Sequence, residues 1–249
     1  MTFNSKLVDF TNLKPEASKE ELDQLAAQAK AGDYNSICIR SDRVEEYAPQ
    51  FRCSATIDFP TEVHWCNSDE DKAQIVKEIG ASPLEEKLVE AKAALEAGAS
   101  ELDPVINLTT VTKHDYKALR AELQAYIALM QTYNKELWLK PIFSCELLED
   151  YSIEFTVDIF AQVVTDSDLS KLKFAYKNST GFIKTESDYP LRTTSVELIS
   201  FIASQLDEYD PDARIHIKAA GGIKNQEQAS EIFKAAGGRL SHIGTSSKL

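Results

Sequence analysis

The sequence has 249 residues, a formal net charge of -13 at pH 7 and 43% hydrophobic residues. This length is typical of one (β/α)8 barrel, and the apolar content excludes an intrinsically disordered chain. The acidic charge disfavours nucleic acid and anionic membranes as partners, and no apolar run reaches the roughly 18 residues that a transmembrane helix needs.

The first half of the chain alternates between strand and helix patterns. Strands are predicted at residues 6–11, 36–39, 53–59 and 101–106, and helices at 19–30, 42–47 and 83–97. Ser18 and Glu21 have the spacing of a capping box at the first helix, which Gly32 ends. Residues 61–82 are predicted to form a long loop with one helical turn or more.

The second half continues this alternation. Helices are predicted at residues 115–133, 152–164, 194–206 and 226–236, and strands at 137–143, 171–177, 214–219 and 240–244. Eight strands that alternate with seven helices predict a parallel sheet closed into a (β/α)8 barrel, with residues 1–249 as a single domain. An open dinucleotide-binding sheet is disfavoured because no Gly-rich fingerprint follows the first strand.

Two of the late strands end in a lysine that small residues follow. Lys177 ends an alternating apolar run in KLKFAYKNSTGF, and Lys218 does so in RIHIKAAGGI. An amine at the end of a buried strand is costly to charge, and desolvation makes it a nucleophile towards carbonyl carbons. For either strand alone, the alternative is a lysine whose ammonium reaches solvent. Because the pattern occurs twice, we favour a site with paired amines.

Catalytic side chains in a parallel barrel lie at the carboxyl ends of the strands. The residues at the eight predicted ends are Asp9, Cys38, Asp58, Asp103, Lys140, Lys177, Lys218 and Ser246. Three lysines and three aspartates are thus predicted at one mouth. We expect at least two of these six charged residues to face outward instead, with Asp58 first among them.

Paired amines indicate Schiff-base chemistry. One amine forms an imine with a carbonyl carbon, and the protonated imine accepts electrons when the adjacent C–C bond breaks or forms. A second ammonium nearby favours the neutral form of the attacking amine, and a carboxylate with a bound water moves protons. No cofactor is expected for this chemistry. No metal site is expected either, because the four histidines show no metal-ligand spacing.

The N-terminal segment and the cysteines bear on the cellular compartment. Residues 1–10 lack a basic region followed by an apolar one, so no signal peptide is predicted. The four cysteines are widely spaced without a CxxC pair, which indicates reduced thiols. We therefore expect a cytoplasmic protein.

The motifs resemble those of the deoxyribose-phosphate aldolases over about residues 9–247. The specific ones are YKNSTGF, IKAAGGI, ELDPVIN and the closing IGTSS, with weaker similarity in VDFTNL, SICI and LKPIFSCELL. The resemblance implies a class I aldolase that reversibly cleaves 2-deoxy-D-ribose 5-phosphate to D-glyceraldehyde 3-phosphate and acetaldehyde in deoxyribonucleotide catabolism. The expected partner is a small phosphorylated sugar, and the expected assembly is a homodimer or a homotetramer.

The resemblance also implies roles for individual residues. Lys177 would be the Schiff-base lysine, Lys218 the ammonium that tunes it and Asp103 the carboxylate of the proton relay. Lys140 and Asp9 would join the charge network. The residues expected to border the sugar are Thr11, Cys38 and Thr180. The residues expected to bind phosphate are Gly181, Gly221, Gly222, Lys224, Gly244, Thr245, Ser246 and Ser247.

The chain departs from the family pattern in three respects. It stops at Leu249, so a barrel without the usual closing C-terminal helix is expected. Phe182 stands where some members carry a lysine, and Asp58 and Pro104 stand where small or aliphatic residues are more usual. Two other functions stay open: a Schiff-base aldolase for another phosphosugar or keto acid, and a barrel that binds a phosphosugar with little or no turnover.

Overall fold

Parallel strands form the framework that positions the candidate residues. The computed structural model describes residues 4–165 and 170–249. Its strands, in chain order, are β1 Val8–Thr11, β2 Ser36–Arg40, β3 Cys53–Ile57, β4 His64–Trp65, β5 Glu101–Pro104, β6 Leu137–Leu139, β7 Leu172–Lys177, β8 Ile183–Lys184, β9 Ile215–Ala220 and β10 Leu240–Thr245.

Eight of these strands close a parallel barrel in the order β1-β10-β9-β7-β6-β5-β3-β2. The predicted (β/α)8 architecture is therefore confirmed, and each predicted strand overlaps one barrel strand. The barrel closes between β1 and β10, where Asp9 is the register partner of Gly244. β7 and β9 are neighbours, and Lys177 is the register partner of Lys218. The two lysine-ended strands thus lie side by side.

Helices connect the barrel strands and cover their outer faces. Within the described residues they are α1 Lys19–Ala31, α2 Val44–Tyr47, α3 Asp69–Glu78, α4 Leu84–Glu96, α5 Leu108–Thr112, α6 Tyr116–Gln131, α7 Asp150–Thr165, α8 Val196–Tyr209 and α9 Gln226–Ala235. The predicted capping box is confirmed, because Ser18 Oγ accepts from Glu21 N–H and the Glu21 carboxylate accepts from Ser18 N–H. None of these helices is long and apolar enough to cross a bilayer.

The apolar core lies between the barrel and its helices. Ile37, Leu102 and Leu139 on the strands are fully buried, and α6 buries Leu119 and Leu123 in the same layer. Removing apolar surface from water at about 25 cal/mol per Å² is the main favourable contribution to such a fold. The interior of the barrel is different, since its buried side chains include charged groups.

Some segments differ from the sequence-based expectation. Residues 61–82 contain β4 and the ten-residue helix α3, which Ser68 caps, rather than a long loop. The predicted strand at 137–143 ends early, at Leu139, because Pro141 has no N–H to donate; parallel pairing resumes at Ile142. Helix α5 was not predicted, since its sequence LTTVT consists mostly of β-branched residues with low helix propensity.

A two-stranded sheet joins the loops that follow β3 and β7. His64 N–H donates to Phe182 O and Cys66 N–H donates to Lys184 O, both at 2.8 Å. The rings of Phe59 and Phe182 meet edge to face, with centroids 4.9 Å apart. Because both loops leave the carboxyl ends of their strands, this small sheet lies on the side of the barrel where the predicted site residues are.

Candidate active site

Asp103 on β5 brings the two strand-ending lysines together. Its Oδ2 accepts hydrogen bonds from Lys177 Nζ at 2.9 Å and from Lys218 Nζ at 2.7 Å. Its Oδ1 accepts from Ser54 Oγ at 2.9 Å. Asp103 and Lys218 are fully buried, and Lys177 is 2% exposed. The arrangement is the paired-amine geometry that the sequence pattern predicts.

A second layer of charge lies deeper in the barrel, around Lys140. Lys140 Nζ donates to Asp9 Oδ2 at 2.9 Å and to Glu101 Oε2, and it lies 3.3 Å from Asp103 Oδ1. Lys218 Nζ also pairs with Asp9 Oδ2, at 2.6 Å. Asp9 therefore links the two layers, because its Oδ2 contacts both Lys140 and Lys218.

Further hydrogen-bond donors replace the water that the buried carboxylates have lost. Ser36 Oγ and Asn35 Nδ2 donate to Asp9 Oδ1 at 2.7 and 3.0 Å. Arg52 Nε donates to Glu101 Oε1 at 2.6 Å from the rim of the barrel. A buried ion is tolerated when opposite charges and hydrogen bonds surround it, and each carboxylate here has both.

The mutual field of these groups keeps them ionised. Burial alone raises the pKa of Asp103, but the ammonium groups of Lys140, Lys177 and Lys218 outweigh it and hold that pKa well below its usual range. The pKa of Asp9 is lowered in the same way by Lys140 and Lys218 against its burial. Burial lowers the pKa of Lys218, yet Asp103 and Asp9 together raise it well above its usual value. Both carboxylates thus favour the charged form of Lys218.

The three lysines differ in how many carboxylates balance them. Among the described residues, Lys140 contacts three carboxylates and Lys218 contacts two, whereas Lys177 contacts that of Asp103 alone. Lys177 is also the only one of these three with any exposed surface. Of the three ammonium groups, its charge is thus the least compensated by the protein.

The floor beneath the charged layers is aromatic. The indole of Trp138 meets the ring of His242 edge to face at a centroid distance of 4.6 Å and lies 5.7 Å from that of His216. Burial lowers the pKa of His242 to about 4, which leaves the ring neutral at physiological pH. We infer that both histidines fill space in the barrel.

The turn after β7 is held by a carboxylate that sequence analysis missed. Glu146 Oε1 accepts from Ser179 Oγ at 2.5 Å, from Thr180 N–H at 3.1 Å and from Gly181 N–H at 3.3 Å. Asn178, the first residue of the turn, accepts from Ala220 N–H at 2.9 Å and so joins the ends of β7 and β9. Thr180, predicted to border the sugar, donates its own hydroxyl to Glu146 at 3.2 Å.

The glycine turns after β9 and β10 continue the rim beside the turn after β7. Gly221 has φ +96°, and a Cβ there would lie 2.6 Å from Ser179 Oγ, so the turns after β7 and β9 approach closely. Thr245 Oγ1 donates to Ile223 O at 2.7 Å and accepts from Ser247 N–H at 2.9 Å, which links the turns after β9 and β10. Gly222, Lys224 and Ser246 are exposed on this rim. Phosphate binding here stays a prediction.

Asp58 lies outside the charged cluster. It has φ +51° and its carboxylate accepts from Ser82 Oγ at 2.6 Å and lies 3.5 Å from Lys87 Nζ on α4. The expectation that Asp58 faces away from the mouth is confirmed. The expectation of at least two such residues is wrong, because the other five charged strand ends share one network.

The remaining sugar-site predictions are adjacent to that network. Cys38 Sγ lies 3.9 Å from Asp103 Oδ2, and Thr11 is the register partner of Cys38. The most important omission is Glu101. A signal was present, because Glu101 and Asp103 alternate on one strand and therefore face the same side. Glu146 carried no such signal, since it lies in a short 3-10 helix after β6.

Among the described residues, Asp9, Glu101 and His242 have the mutual spacing of metal ligands, within 4.8 Å. Lys140 donates to both of these carboxylates, so an ammonium supplies the positive charge that a cation would bring. This cluster is accordingly part of the lysine network.

Comparison with known proteins identifies the family. No family model matches the chain. A deoxyribose-phosphate aldolase of Kocuria rhizophila is 31% identical over 98% of this chain and 94% of its own length. That of Mycoplasmopsis pulmonis is 28% identical over 98% and 93%. A solved structure, the tetrameric deoxyribose phosphate aldolase from Aeropyrum pernix, shares the fold with a TM-score of 0.70, at 23% identity over 98% of this chain and 86% of that one. With a full-length relative above 30% identity and the same barrel, the chain belongs to the deoxyribose-phosphate aldolase family.

Proposed function

We propose that this protein is a class I aldolase that reversibly cleaves 2-deoxy-D-ribose 5-phosphate to D-glyceraldehyde 3-phosphate and acetaldehyde. One observation carries the proposal: Lys177 Nζ and Lys218 Nζ donate to the same oxygen of Asp103. An amine that must attack a carbonyl carbon is thereby held beside a second ammonium, inside a site that excludes bulk water.

Lys177 is the nucleophile in this proposal. Its charge is balanced by one shared carboxylate, whereas Lys140 and Lys218 each have more partners. The neutral amine adds to the aldehyde carbon C1 of the open-chain sugar, and loss of water gives a protonated imine. The imine accepts the electron pair of the C2–C3 bond as the C3 hydroxyl loses its proton. Glyceraldehyde 3-phosphate leaves, and an enamine stays on Lys177.

Proton transfer completes the cycle. The proton taken from the C3 hydroxyl is returned to C2 of the enamine, and water then releases acetaldehyde and the free amine. We assign the relay to Asp103 with a bound water. The ammonium groups of Lys140 and Lys218 help to keep this carboxylate ionised, so it can orient the water and pass the proton on.

The phosphate is assigned to the rim formed by the turns after β9 and β10. Backbone N–H groups in glycine turns bind anions, and the loops after the last two strands are the usual phosphate position in such barrels. The residues proposed for this role are Gly221, Gly222, Lys224, Gly244, Thr245, Ser246 and Ser247. Thr11, Cys38 and Thr180 are proposed to border the sugar.

Three further assignments belong to the proposal. Residues 1–249 would act as one domain, which is supported by barrel strands drawn from Val8 to Thr245. The assembly would be a homodimer or a homotetramer, as the tetrameric Aeropyrum pernix protein suggests. The location would be cytoplasmic, which is consistent with four free, buried cysteines. Light scattering of the purified protein tests the assembly.

Borohydride trapping tests the activity. Acetaldehyde and sodium borohydride should give a reduced adduct on Lys177, found by mass spectrometry and peptide mapping, alongside turnover of 2-deoxy-D-ribose 5-phosphate. Trapping with larger ketones or keto acids only would indicate another Schiff-base aldolase. No adduct with any carbonyl compound would indicate a barrel that binds a phosphosugar without turnover.

A further inference from the structure

Glu146 is a buried carboxylate directly behind the turn that follows Lys177. It lies in the 3-10 helix Cys145–Leu147, which begins after Ser144 at φ +52°. Cys145 N–H donates to Asn178 O at 2.7 Å, so this helix is fastened to the first residue of the turn. The side chain of Glu146 is 6% exposed.

The Glu146 carboxylate occupies a position made for an anion. Thr180 N–H and Gly181 N–H both point at Oε1, and the hydroxyl groups of Ser179 and Thr180 add two more donors. Successive backbone N–H groups that converge on one point form an anion-binding concavity. Gly181 adopts φ +74°, which allows the backbone to turn in this way. The donors that could hold a substrate anion are thus already taken by the protein.

The second oxygen of Glu146 has a different environment. Among the described residues, Oε2 has no hydrogen-bond partner although it is buried. Burial raises the pKa of Glu146, and the donors on Oε1 act against that rise. A buried carboxylate oxygen without a donor lowers stability, so a function is needed to explain Glu146 at this position near Lys177.

We propose that Glu146 is a specificity-determining residue, an internal anion that excludes the substrate phosphate from the turn after β7. The hydroxyl and N–H groups of this turn are bonded within the protein, so the turn borders the sugar without binding a substrate anion. The phosphate is then confined to the rim of Gly221, Gly222 and Gly244. This inference rests on the aldolase function proposed above. It reassigns Gly181, which the family resemblance places with the phosphate-binding residues, to the wall that Glu146 fills.

The neighbouring residue agrees with this assignment. Phe182 follows Gly181 and carries no charge; its ring packs against Phe59. The turn after β7 therefore presents one buried negative charge and an aromatic ring where a phosphate would need positive charge. The exposed Lys224, after the turn of β9, supplies a cation on the part of the rim assigned to the phosphate.

Steady-state kinetics with two substrates test the role. In Glu146→Gln the amide oxygen can keep the donors of the turn while the charge is lost. The KM for 2-deoxy-D-ribose 5-phosphate should then fall roughly fivefold, as expected for removal of one partly screened like charge. The KM for unphosphorylated 2-deoxy-D-ribose should not change. Glu149→Gln is the matched control, because Glu149 is three residues away, 62% exposed at its side chain, and undergoes the same change in charge.

A binding measurement on the unaltered protein does not depend on how the variant folds. In a titration with inorganic phosphate followed by amide NMR, the N–H signals of Gly221, Gly222 and Gly244 should shift. Those of Thr180 and Gly181 should stay in place. Shifts at Thr180 and Gly181 would overturn the inference, as would equal KM changes for both sugars in Glu146→Gln. Absence of turnover and of a borohydride adduct in the wild type would instead refute the aldolase function itself.

Discussion

Lys177 and Lys218 lie side by side on neighbouring strands, and their ammonium nitrogens share one carboxylate oxygen, at 2.9 and 2.7 Å. The two amines are not equivalent. Lys218 is fully buried and also pairs with Asp9, which favours its charged form, whereas Lys177 retains slight exposure. This asymmetry gives a physical reason, beside the family resemblance, to assign attack to Lys177.

Exchanging each lysine for leucine should separate their roles. Lys177→Leu should abolish both borohydride trapping and turnover, because the attacking amine is gone. Lys218→Leu should leave an enzyme that still gives an adduct but turns over about tenfold or more slowly at pH 7, because Asp103 Oδ2 loses one of its two ammonium donors.

Lys173→Leu is the control for both variants. Lys173 is on β7 with Lys177, but its side chain is 47% exposed and pairs with Glu136. This control variant should retain wild-type trapping and turnover. An adduct mapped to Lys218 in the wild type would reverse the two assignments, and an adduct on neither lysine would end the Schiff-base mechanism.

Turnover is expected to be unaffected by EDTA. The protonated imine acts as the electron acceptor that a metal supplies in other aldol cleavages. The one carboxylate–histidine cluster with ligand spacing in the described residues already holds the ammonium of Lys140. Assays before and after dialysis against the chelator check this. Loss of activity that zinc or manganese restores would contradict the mechanism.

Gly221→Ala should impair catalysis as well as stability. The residue has φ +96°, and the added Cβ would lie 2.6 Å from Ser179 Oγ in the turn behind Lys177. Gly238→Ala is a matched control, because Gly238 has φ +95° and no atom of the described residues lies within 4 Å of its added Cβ. Both variants should lose about 1 kcal/mol in urea unfolding from backbone strain. Only Gly221→Ala should also lower kcat. Equal kcat values for the two variants would show that the turn after β7 moves to accommodate the added Cβ without a change in catalysis.

Stability should fall as the pH drops from about 6.5 towards 4, in part because of His242. Burial lowers its folded-state pKa to about 4, against an ordinary value near 6.5. Between these values the unfolded chain binds a proton that the folded protein does not, so the free energy of unfolding rises with pH. Each unit of the difference corresponds to about 1.4 kcal/mol. The pH series of urea midpoints should therefore be flatter for His242→Gln than for wild type, and parallel curves would contradict this.

Periodicity and strand ends were sufficient to predict the barrel and the central lysines. Alternating apolar residues indicate a strand, and polar residues at the carboxyl ends of several such strands are candidates for the mouth of the barrel. Lys177, Lys218 and Asp103 were found in this way. The number of charged residues in the cluster was underestimated, because pairing inside a barrel depends on register between strands that are distant in sequence.

Two buried carboxylates, those of Glu101 and Glu146, were not predicted. Glu101 could have been found from its alternation with Asp103, but a charge at the start of a strand ordinarily faces solvent. Glu146 is buried only because the end of β6 and the turn after β7 pair by hydrogen bonds, which no local pattern in SCELL encodes. The extent of helix α3 was not predicted, because its residues are mostly polar and give a weak helical pattern. The Ser68 cap marks its start.

The small sheet formed by β4 and β8 couples two loops that otherwise belong to different parts of the chain. Its hydrogen bonds join residue 64 to residue 182, five positions after Lys177. A change in the length of the loop after β3 would therefore shift Phe182, and with it the adjoining turn after β7 that borders the site. Attempts to graft the β3 loop of a relative into this protein should exchange residues 58–68 and 182–189 together, because either segment alone would lack its partner.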